Sequence, residues 1–194
     1  ADVIKTGMLG SAALVEAIAE CLAEAALLVP RVIDPVMVAT SGDRLVDARA
    51  VEAIRSELVP RARLVTPNAP EAEVLTGKAV ETVDGQRRAA ERLLELGAHG
   101  ALVKGGHIGG KTITDVLQTT TGEWIFESPR IVTMSTHGTG CTLASAIAAH
   151  LAQGASVPDA VERGRDYLIG AIRSAKPFGK GHGPVNHGWV LDSE

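Results

Sequence analysis

A glycine-rich stretch directly before an apolar, helix-like run has the composition of an anion-binding loop. It extends from Ser135 to Cys141 and is followed by the run Thr142 to Ala148. Successive backbone N–H groups at the start of a helix point outward at the positive end of the helix dipole, so they can bind phosphate. The alternative is a tight turn that only requires small residues. The residues predicted to hold phosphate are Gly138, Thr139, Gly140 and Cys141.

The stretch matches neither of two common nucleotide-binding motifs. The chain contains no Gly-x-x-x-x-Gly-Lys-Ser/Thr sequence, which excludes a Walker-type phosphate loop. The dinucleotide fingerprint is also incomplete, because Leu143 stands where that motif requires a further glycine. Phosphate binding is therefore predicted here without a motif that names the nucleotide.

Cys141 has a structural and a chemical interpretation. A free cysteine is most often a small buried hydrophobe. At the start of a helix, however, the dipole favours the thiolate and commonly lowers the pKa of the thiol, which would suit a catalytic group. His137 lies four residues earlier, but two potential ligands in one turn do not make a zinc site.

Asn68 and Glu71 bring an amide and a carboxylate together after a short apolar strand. They lie about one helical turn apart, so both could face one hydrated Mg²⁺. The same spacing also fits a capping box, in which Asn68 caps a helix and Glu71 bonds back to it. The spacing alone does not separate the two.

Two further charged residues follow apolar strands. Asp34 precedes Pro35 and could terminate its strand or cap a turn. Lys104 is followed by two glycines and would be partly desolvated without an anion nearby, which a bound phosphate would relieve. His182 and His187, in the Gly-rich tail, are expected to be solvated loop histidines.

The elements that must position these residues alternate between strand and helix. This βα pattern predicts one α/β unit over residues 1–194, with a mostly parallel sheet and an antiparallel edge hairpin. Ser11 should cap the first helix, whose apolar stripe would place Cys21 on the core face. In such sheets ligands bind beyond the carboxyl ends of the strands. Residues predicted at those ends are Met8, Asp34, Asn68 and Lys104. The predicted strands are 2–5, 27–33, 63–65, 101–103, 114–119 and 124–127, and the predicted helices begin near residues 11, 51, 70, 84, 139 and 157.

Composition and charge limit the classes of partner that the protein could bind. The net charge of −4 and the pI near 5.9 argue against a nucleic-acid partner, which requires a clustered basic face. The longest apolar runs are far shorter than the roughly 20 residues that span a bilayer. Cys21 and Cys141 lie in different segments, which suggests no disulfide framework and a reducing, cytoplasmic location.

Six motifs occur in the order and spacing of one known family. They are Ile4 to Gly10, Asp34 to Ala39, Thr66 to Ala72, Val103 to His107, Thr136 to Thr142 and Gly181 to His187. Through them the chain resembles the hydroxymethylpyrimidine and hydroxymethylpyrimidine-phosphate kinases of thiamine biosynthesis, in the ribokinase-like, vitamin-kinase group. The resemblance implies a three-layer α/β/α fold, with a mostly parallel central sheet flanked by helices.

The resemblance also assigns roles by position. It implies that Gly138 to Cys141 form the anion hole for the transferred phosphoryl group, and that Cys141 stands where related sugar kinases carry an aspartate base. Asn68 and Glu71 match the motif that organises Mg²⁺ and its waters, with Asp34 on the same side. The residues implied to bind ATP phosphates are Lys104, Gly106, Thr136 and Asn68, and those implied to line the pyrimidine pocket are Met8 and Val36.

The implied activity is ATP-dependent phosphorylation of hydroxymethylpyrimidine and of its monophosphate, with ATP and Mg²⁺ as cofactors. A pyridoxal or pyridoxine kinase, whose substrate ring is similar, stays open, as does a non-catalytic nucleotide-binding fragment of the same fold. Family members begin with a Gly-rich strand, a loop and a helix that this sequence lacks, so a fragment or a shortened protein is expected. We also expect a homodimer.

Overall fold

A six-stranded sheet lies at the centre of the protein, whose computed structural model describes residues 1–37, 45–177 and 181–191. The strands follow one another across the sheet in chain order. The first four are parallel, and the last two continue the sheet as an antiparallel hairpin, as predicted. They are β1 (Ile4–Thr6), β2 (Arg31–Ile33), β3 (Leu64–Val65), β4 (Gly100–Val103), β5 (Thr112–Thr119) and β6 (Gly122–Pro129).

Helices cover both faces of this sheet. The described helices are α1 (Ala12–Ala25), α2 (Ala48–Ala53), α3 (Ala69–Thr76), α4 (Val83–Glu95), α5 (Thr139–Ala152) and α6 (Val157–Arg173). A π-helical turn at Ile54–Leu58 and a 3₁₀ turn at Val59–Arg61 extend α2. Within the described ranges, no helix combines the length and the apolar character needed to cross a bilayer.

The alternation of side chains along the strands creates two cores. Ile33, Val65 and Val103 pack with α1 to α4 on one face. On the other face Leu64 and Leu102 pack with α5 and α6, and Val32 packs with α5. Because successive strand residues point to opposite faces, both faces are apolar, and the predicted three-layer α/β/α architecture is confirmed.

The predicted core face of α1 was wrong. Ser11 caps the helix as expected, since its side chain accepts a hydrogen bond from the backbone N–H of Leu14. The buried residues are Ala12, Val15 and Ala19, however, and Cys21 is exposed. The helix is rich in apolar residues on more than one side, so periodicity alone selected the wrong stripe.

The second predicted strand is shorter than its apolar run. Leu27 and Leu28 are 67% and 93% exposed, and β2 begins only at Arg31. They belong to the turn between α1 and β2, where hydrophobicity does not report on pairing. Val38 and Ala39, the end of the predicted motif that begins at Asp34, lie outside the described residues, as do residues 178–180 before the motif Gly181 to His187.

Candidate active site

The carboxyl ends of the parallel strands place the predicted charged residues side by side. The backbone N–H of Asp34 donates to Thr6 O at 3.1 Å, and that of Lys104 donates to Pro67 O at 2.9 Å. An isolated parallel bridge also joins Asn68 to Lys104. These bonds continue the strand pairings past the ends of the strands, so the predicted convergence is confirmed for this group.

Asp34 is a buried carboxylate shared by two lysines. It is 1% exposed, and its Oδ1 accepts hydrogen bonds from Thr66 Oγ1 at 3.2 Å and from Lys104 Nζ at 3.3 Å. Lys5 Nζ lies 3.8 Å from Oδ2. The sequence argument considered only a bound phosphate as the partner of Lys104, whereas the structure also pairs it with Asp34 across the sheet.

The first turn of α5 presents backbone N–H groups that have no hydrogen-bond partner among the described residues. Gly138 caps the helix in the left-handed conformation at φ +79° and supplies no side-chain cap. The first backbone bond of the helix runs from Thr142 N to Gly138 O. The three N–H groups between them therefore have no carbonyl partner within the helix. We call Gly138 to Cys141 the anion loop.

Lys104 points at this turn. A Cβ added at Gly140 would lie 3.2 Å from Lys104 Nζ, so the ammonium lies against the anion loop. A cation, free N–H groups and the positive end of α5 thus meet in one place, and together they favour a phosphate group there. The sequence located the anion loop and Lys104 separately, and the structure brings them together.

The carboxyl-terminal segment, residues 181–188, supports the stretch before the anion loop. The backbone N–H of Gly183 donates to Met134 O, and that of His137 donates to Gly183 O, both at 3.1 Å. Thr136 Oγ1 lies 3.1 Å from His182 Nδ1. His182 is therefore not only a solvated loop histidine, although its side chain is exposed. Clustered glycines in this segment were the signal for such close backbone packing.

The thiol of Cys141 is not activated as the sequence predicted. Partial burial of the sulfur raises the pKa of Cys141, and the negative charge of Asp34 raises it further, while Lys5 and Lys104 act in the opposite direction. The residue as a whole remains exposed. At this helix terminus, desolvation and a carboxylate therefore outweigh the cations, and the thiol form is favoured.

Asn68 and Glu71 form the capping box that was the structural alternative. Asn68 Oδ1 accepts from the N–H of Glu71 at 2.9 Å, and Glu71 Oε2 accepts from the N–H of Asn68 at 2.8 Å. Glu71 is 4% exposed, and burial raises its pKa, with Lys104 and the backbone bond to Asn68 opposing the rise. Its carboxylate therefore already stabilises the start of α3.

One feature of this site, a buried carboxylate oxygen, fits a bound magnesium ion. The described residues contain no group of three or more acidic, histidine or cysteine side chains that could hold a metal directly. Asp34 Oδ2, however, is a buried oxygen with no hydrogen-bond partner in the described part of the chain. Mg²⁺ commonly keeps several waters and takes one or two carboxylates. The donor set fits an ion held by Asp34, with Glu71 acting through water.

The remaining predicted ligands are accessible. Met8 is 57% exposed after β1, and Val36 is partly exposed after β2. Gly106 lies in an exposed turn after Lys104, and a side chain there would meet no other atoms. Sequence reasoning missed Arg130, which donates to Gly106 O and Gly110 O at 2.8 Å and to Ile108 O at 2.5 Å. It fixes this turn.

A buried polar network that the sequence did not reveal holds the residue next to Lys104. Asp115 Oδ1 accepts from the N–H of Gly105 at 2.8 Å, and the Asp115 carboxylate pairs with Arg165 of α6. Gln86 Nε2 donates to Val103 O and Thr114 O, each at 2.8 Å. The chain before and after Lys104 is therefore fixed by buried side chains from three elements.

Comparison with known proteins gives a consistent assignment. The family model described as phosphomethylpyrimidine kinase matches residues 1–186. A thiamine biosynthesis bifunctional protein ThiED of Geobacter sulfurreducens is 50% identical over 96% of this chain and 38% of its own length. The hydroxymethylpyrimidine/phosphomethylpyrimidine kinase of Streptomyces coelicolor is 47% identical over 97% of this chain and 69% of its own length.

The fold agrees with these sequence matches. The pyridoxal kinase of Staphylococcus aureus, solved with AMP-PCP and pyridoxal, superposes with a TM-score of 0.90 at 30% identity, covering 100% of this chain and 70% of the neighbour. The central sheet is therefore ribokinase-like, as the resemblance implied. The chain is also shorter than each of these proteins. With nearly its whole length matched by the family model, the chain belongs to the phosphomethylpyrimidine kinase family.

Proposed function

We propose that the protein transfers phosphate from ATP to hydroxymethylpyrimidine and then to its monophosphate, as a step of thiamine biosynthesis. The observation that carries the proposal is the Lys104 ammonium lying against the anion loop, with Asp34 beside it. The relatives named as hydroxymethylpyrimidine/phosphomethylpyrimidine kinases support the acceptor. The AMP-PCP complex of the neighbouring pyridoxal kinase supports ATP as donor.

The phosphate donor, ATP, would lie over β3 and β4. Residues proposed to meet its phosphates are Lys104, Gly106, Thr136 and Asn68. Phosphoryl transfer depends mainly on positioning and charge neutralisation, which Lys104 and the N–H groups of the anion loop supply. When bound, Mg²⁺ would neutralise the donor phosphates, held by Asp34 and, through water, by Glu71. The acceptor would lie near Met8 and Val36.

The two phosphorylations differ in whether they require Cys141 as a base. In the first, the attacking hydroxymethyl group is neutral and must lose a proton, which Cys141 could accept. In the second, the attacking group is a phosphate monoester with a second pKa of about 6, so at neutral pH it needs no base. We therefore propose that Cys141 acts as general base in the first step only.

A direct assay tests the proposal and its two rivals. The purified chain is incubated with Mg-ATP and, separately, with hydroxymethylpyrimidine, its monophosphate and pyridoxal. We expect turnover of the two pyrimidines. Turnover of pyridoxal alone would support the pyridoxal kinase that the structural neighbour suggests. ATP binding without any turnover would favour the non-catalytic fragment. We also propose a cytoplasmic homodimer, and sedimentation equilibrium checks the dimer.

Replacing Lys104 by methionine should reduce kcat/KM for both phosphorylations by about 10²–10³-fold, the typical cost of removing one preorganised donor. The substitution removes the ammonium from the anion loop and leaves Asp34 with Lys5 as its remaining cation. Steady-state kinetics with each pyrimidine measures the effect. Lys78→Met, at an exposed position, is the matched control and should leave both rates unchanged. A comparable loss in that control would contradict the assignment of Lys104.

Glu71→Gln separates the metal role from the capping role. Glutamine preserves a capping box, so the midpoint of urea unfolding should change little. If Glu71 organises Mg²⁺, kcat should fall about tenfold or more, and more Mg²⁺ should be needed for half-maximal rate. Glu73→Gln is the control on the same helix, since Glu73 also accepts a backbone N–H, from Val80. Unchanged Mg²⁺ dependence in Glu71→Gln would reduce Glu71 to a capping residue.

A further inference from the structure

Lys5 lies in the candidate site, where a neutral acceptor brings no charge for its ammonium to bind. Its side chain is 19% exposed, and Nζ lies 3.8 Å from Asp34 Oδ2. A Cβ added at Gly7 would lie 3.1 Å from the same Nζ. The ammonium therefore lies over the backbone turn that follows β1, in space that the glycine leaves open.

The position of Lys5 along the sheet assigns it to the acceptor side. The parallel strands run in the order β1, β2, β3, β4, with neighbouring strands about 4.8 Å apart. Lys104 follows β4, Asp34 follows β2, and Lys5 belongs to β1. Asp34 thus separates a lysine on the proposed donor side from a lysine on the side of Met8 and Val36.

The Lys5 ammonium also carries hydrogen-bond donors that Asp34 does not use. Its distance to Asp34 is longer than a hydrogen bond, whereas Lys104 bonds Asp34 Oδ1. Thr6 Oγ1, in a residue that is 8% exposed, is a buried hydroxyl oxygen with no hydrogen-bond partner among the described residues. Unused polar atoms therefore lie on the β1 and β2 side of the site.

The charge balance of the site changes when the acceptor, as well as the donor, carries a phosphate group. Lys5 and Lys104 are opposed by the Asp34 carboxylate, which lies beside both of them. A neutral hydroxymethyl acceptor brings no charge to the β1 side. A phosphate monoester is largely dianionic at neutral pH, with a second pKa of about 6, and requires a cation there.

We propose that Lys5 binds the phosphate of the monophosphate acceptor in the second phosphorylation, and so allows one site to accept both substrates. This inference rests on the proposed function. In that step an anionic oxygen of the monoester attacks the γ-phosphorus of ATP. A new P–O bond forms, the bond to the β-phosphate oxygen breaks, and ADP leaves with the electron pair. No proton has to be removed, and Lys5 neutralises the acceptor as it approaches.

The test compares the two acceptors in Lys5→Gln and Lys5→Arg. We expect Lys5→Gln to lower kcat/KM for the monophosphate by roughly 10- to 100-fold relative to hydroxymethylpyrimidine, the range for losing a hydrogen bond to a charged group. Lys5→Arg keeps the charge and should recover most of the loss. An equal fall with both acceptors, or no fall with the monophosphate, would overturn the proposal.

A binding measurement keeps this test separate from the proposed function. If the unmodified chain phosphorylates neither pyrimidine, the proposed function fails, and calorimetric titration with the monophosphate then decides the role of Lys5. Binding that Lys5→Gln weakens by a similar factor and Lys5→Arg restores supports Lys5. Equal binding by both proteins, or no binding by the unmodified chain, overturns it. Circular dichroism of each variant verifies that it is folded.

Discussion

Replacing Cys141 by alanine should slow the first phosphorylation by about 10²–10⁴-fold, the usual contribution of a general base, and leave the second nearly unchanged. The reason is chemical, since only the hydroxymethyl acceptor carries a proton that must leave. Rates with hydroxymethylpyrimidine and with its monophosphate, measured on the same preparation, give the comparison. Cys21→Ala is the matched control, because Cys21 is likewise an exposed free cysteine but lies on α1. Equal losses in both steps would mean that Cys141 only shapes the loop.

The pH dependence should follow the raised pKa of the Cys141 thiol. Because burial and Asp34 raise that pKa, the thiolate is the minor form at neutral pH, and its fraction increases as the pH rises. The rate of the first phosphorylation should therefore increase through the alkaline range, and this increase should disappear in Cys141→Ala. A first-step rate that is already constant from neutral pH upward would exclude Cys141 as the base. The second step should show no such increase.

Arg165→Met should destabilise the protein by about 3–5 kcal/mol, the cost of leaving a buried charge without its partner. Arg165 and Asp115 are 7% and 4% exposed, and Arg165 also donates to Ser128 Oγ at 3.2 Å and lies over the ring of Phe126. The free energy of unfolding from urea titration measures the loss. Arg163→Met, two residues away and exposed, should be nearly neutral.

A double variant distinguishes the charge from the packing. Replacing Asp115 by leucine together with Arg165→Met removes both charges, so part of the lost stability should return. The N–H of Gly105 would still lack its acceptor, and kcat should therefore stay low because Lys104 follows the movement of its neighbour. Stability and kcat that recover together would show that Asp115 does not position this turn.

A feature of the site could be predicted when the residues that form it are close together in the sequence. The anion loop was predictable, because the glycines and the helix they precede are adjacent in sequence. The capping box of Asn68 and Glu71 was one of the two interpretations that their spacing allowed, for the same reason. The pairing of Asp34 with Lys104 spans 70 positions, and it was not predictable from the residues near either one.

The errors share a physical cause. The dipole of α5 is a local property, whereas the pKa of Cys141 is controlled by desolvation and by Asp34 from another strand. The core face of α1 depends on which neighbour covers it, and this is decided by α2 and the sheet rather than by the spacing of leucines. The sequence analysis did not single out Arg165 or Asp115, because only the packing of α6 on the sheet buries them together.

The contact between the carboxyl-terminal segment and the stretch before the anion loop has a consequence for biosynthesis of the protein. Gly183 forms backbone hydrogen bonds with Met134 and His137. It is synthesised after the six described strands and after α5 and α6. The stretch before the anion loop should therefore become ordered only after residue 183 has been synthesised. A nascent chain that ends before residue 183 would contain the six described strands but would lack this support for the anion loop, so we expect it to bind nucleotide poorly.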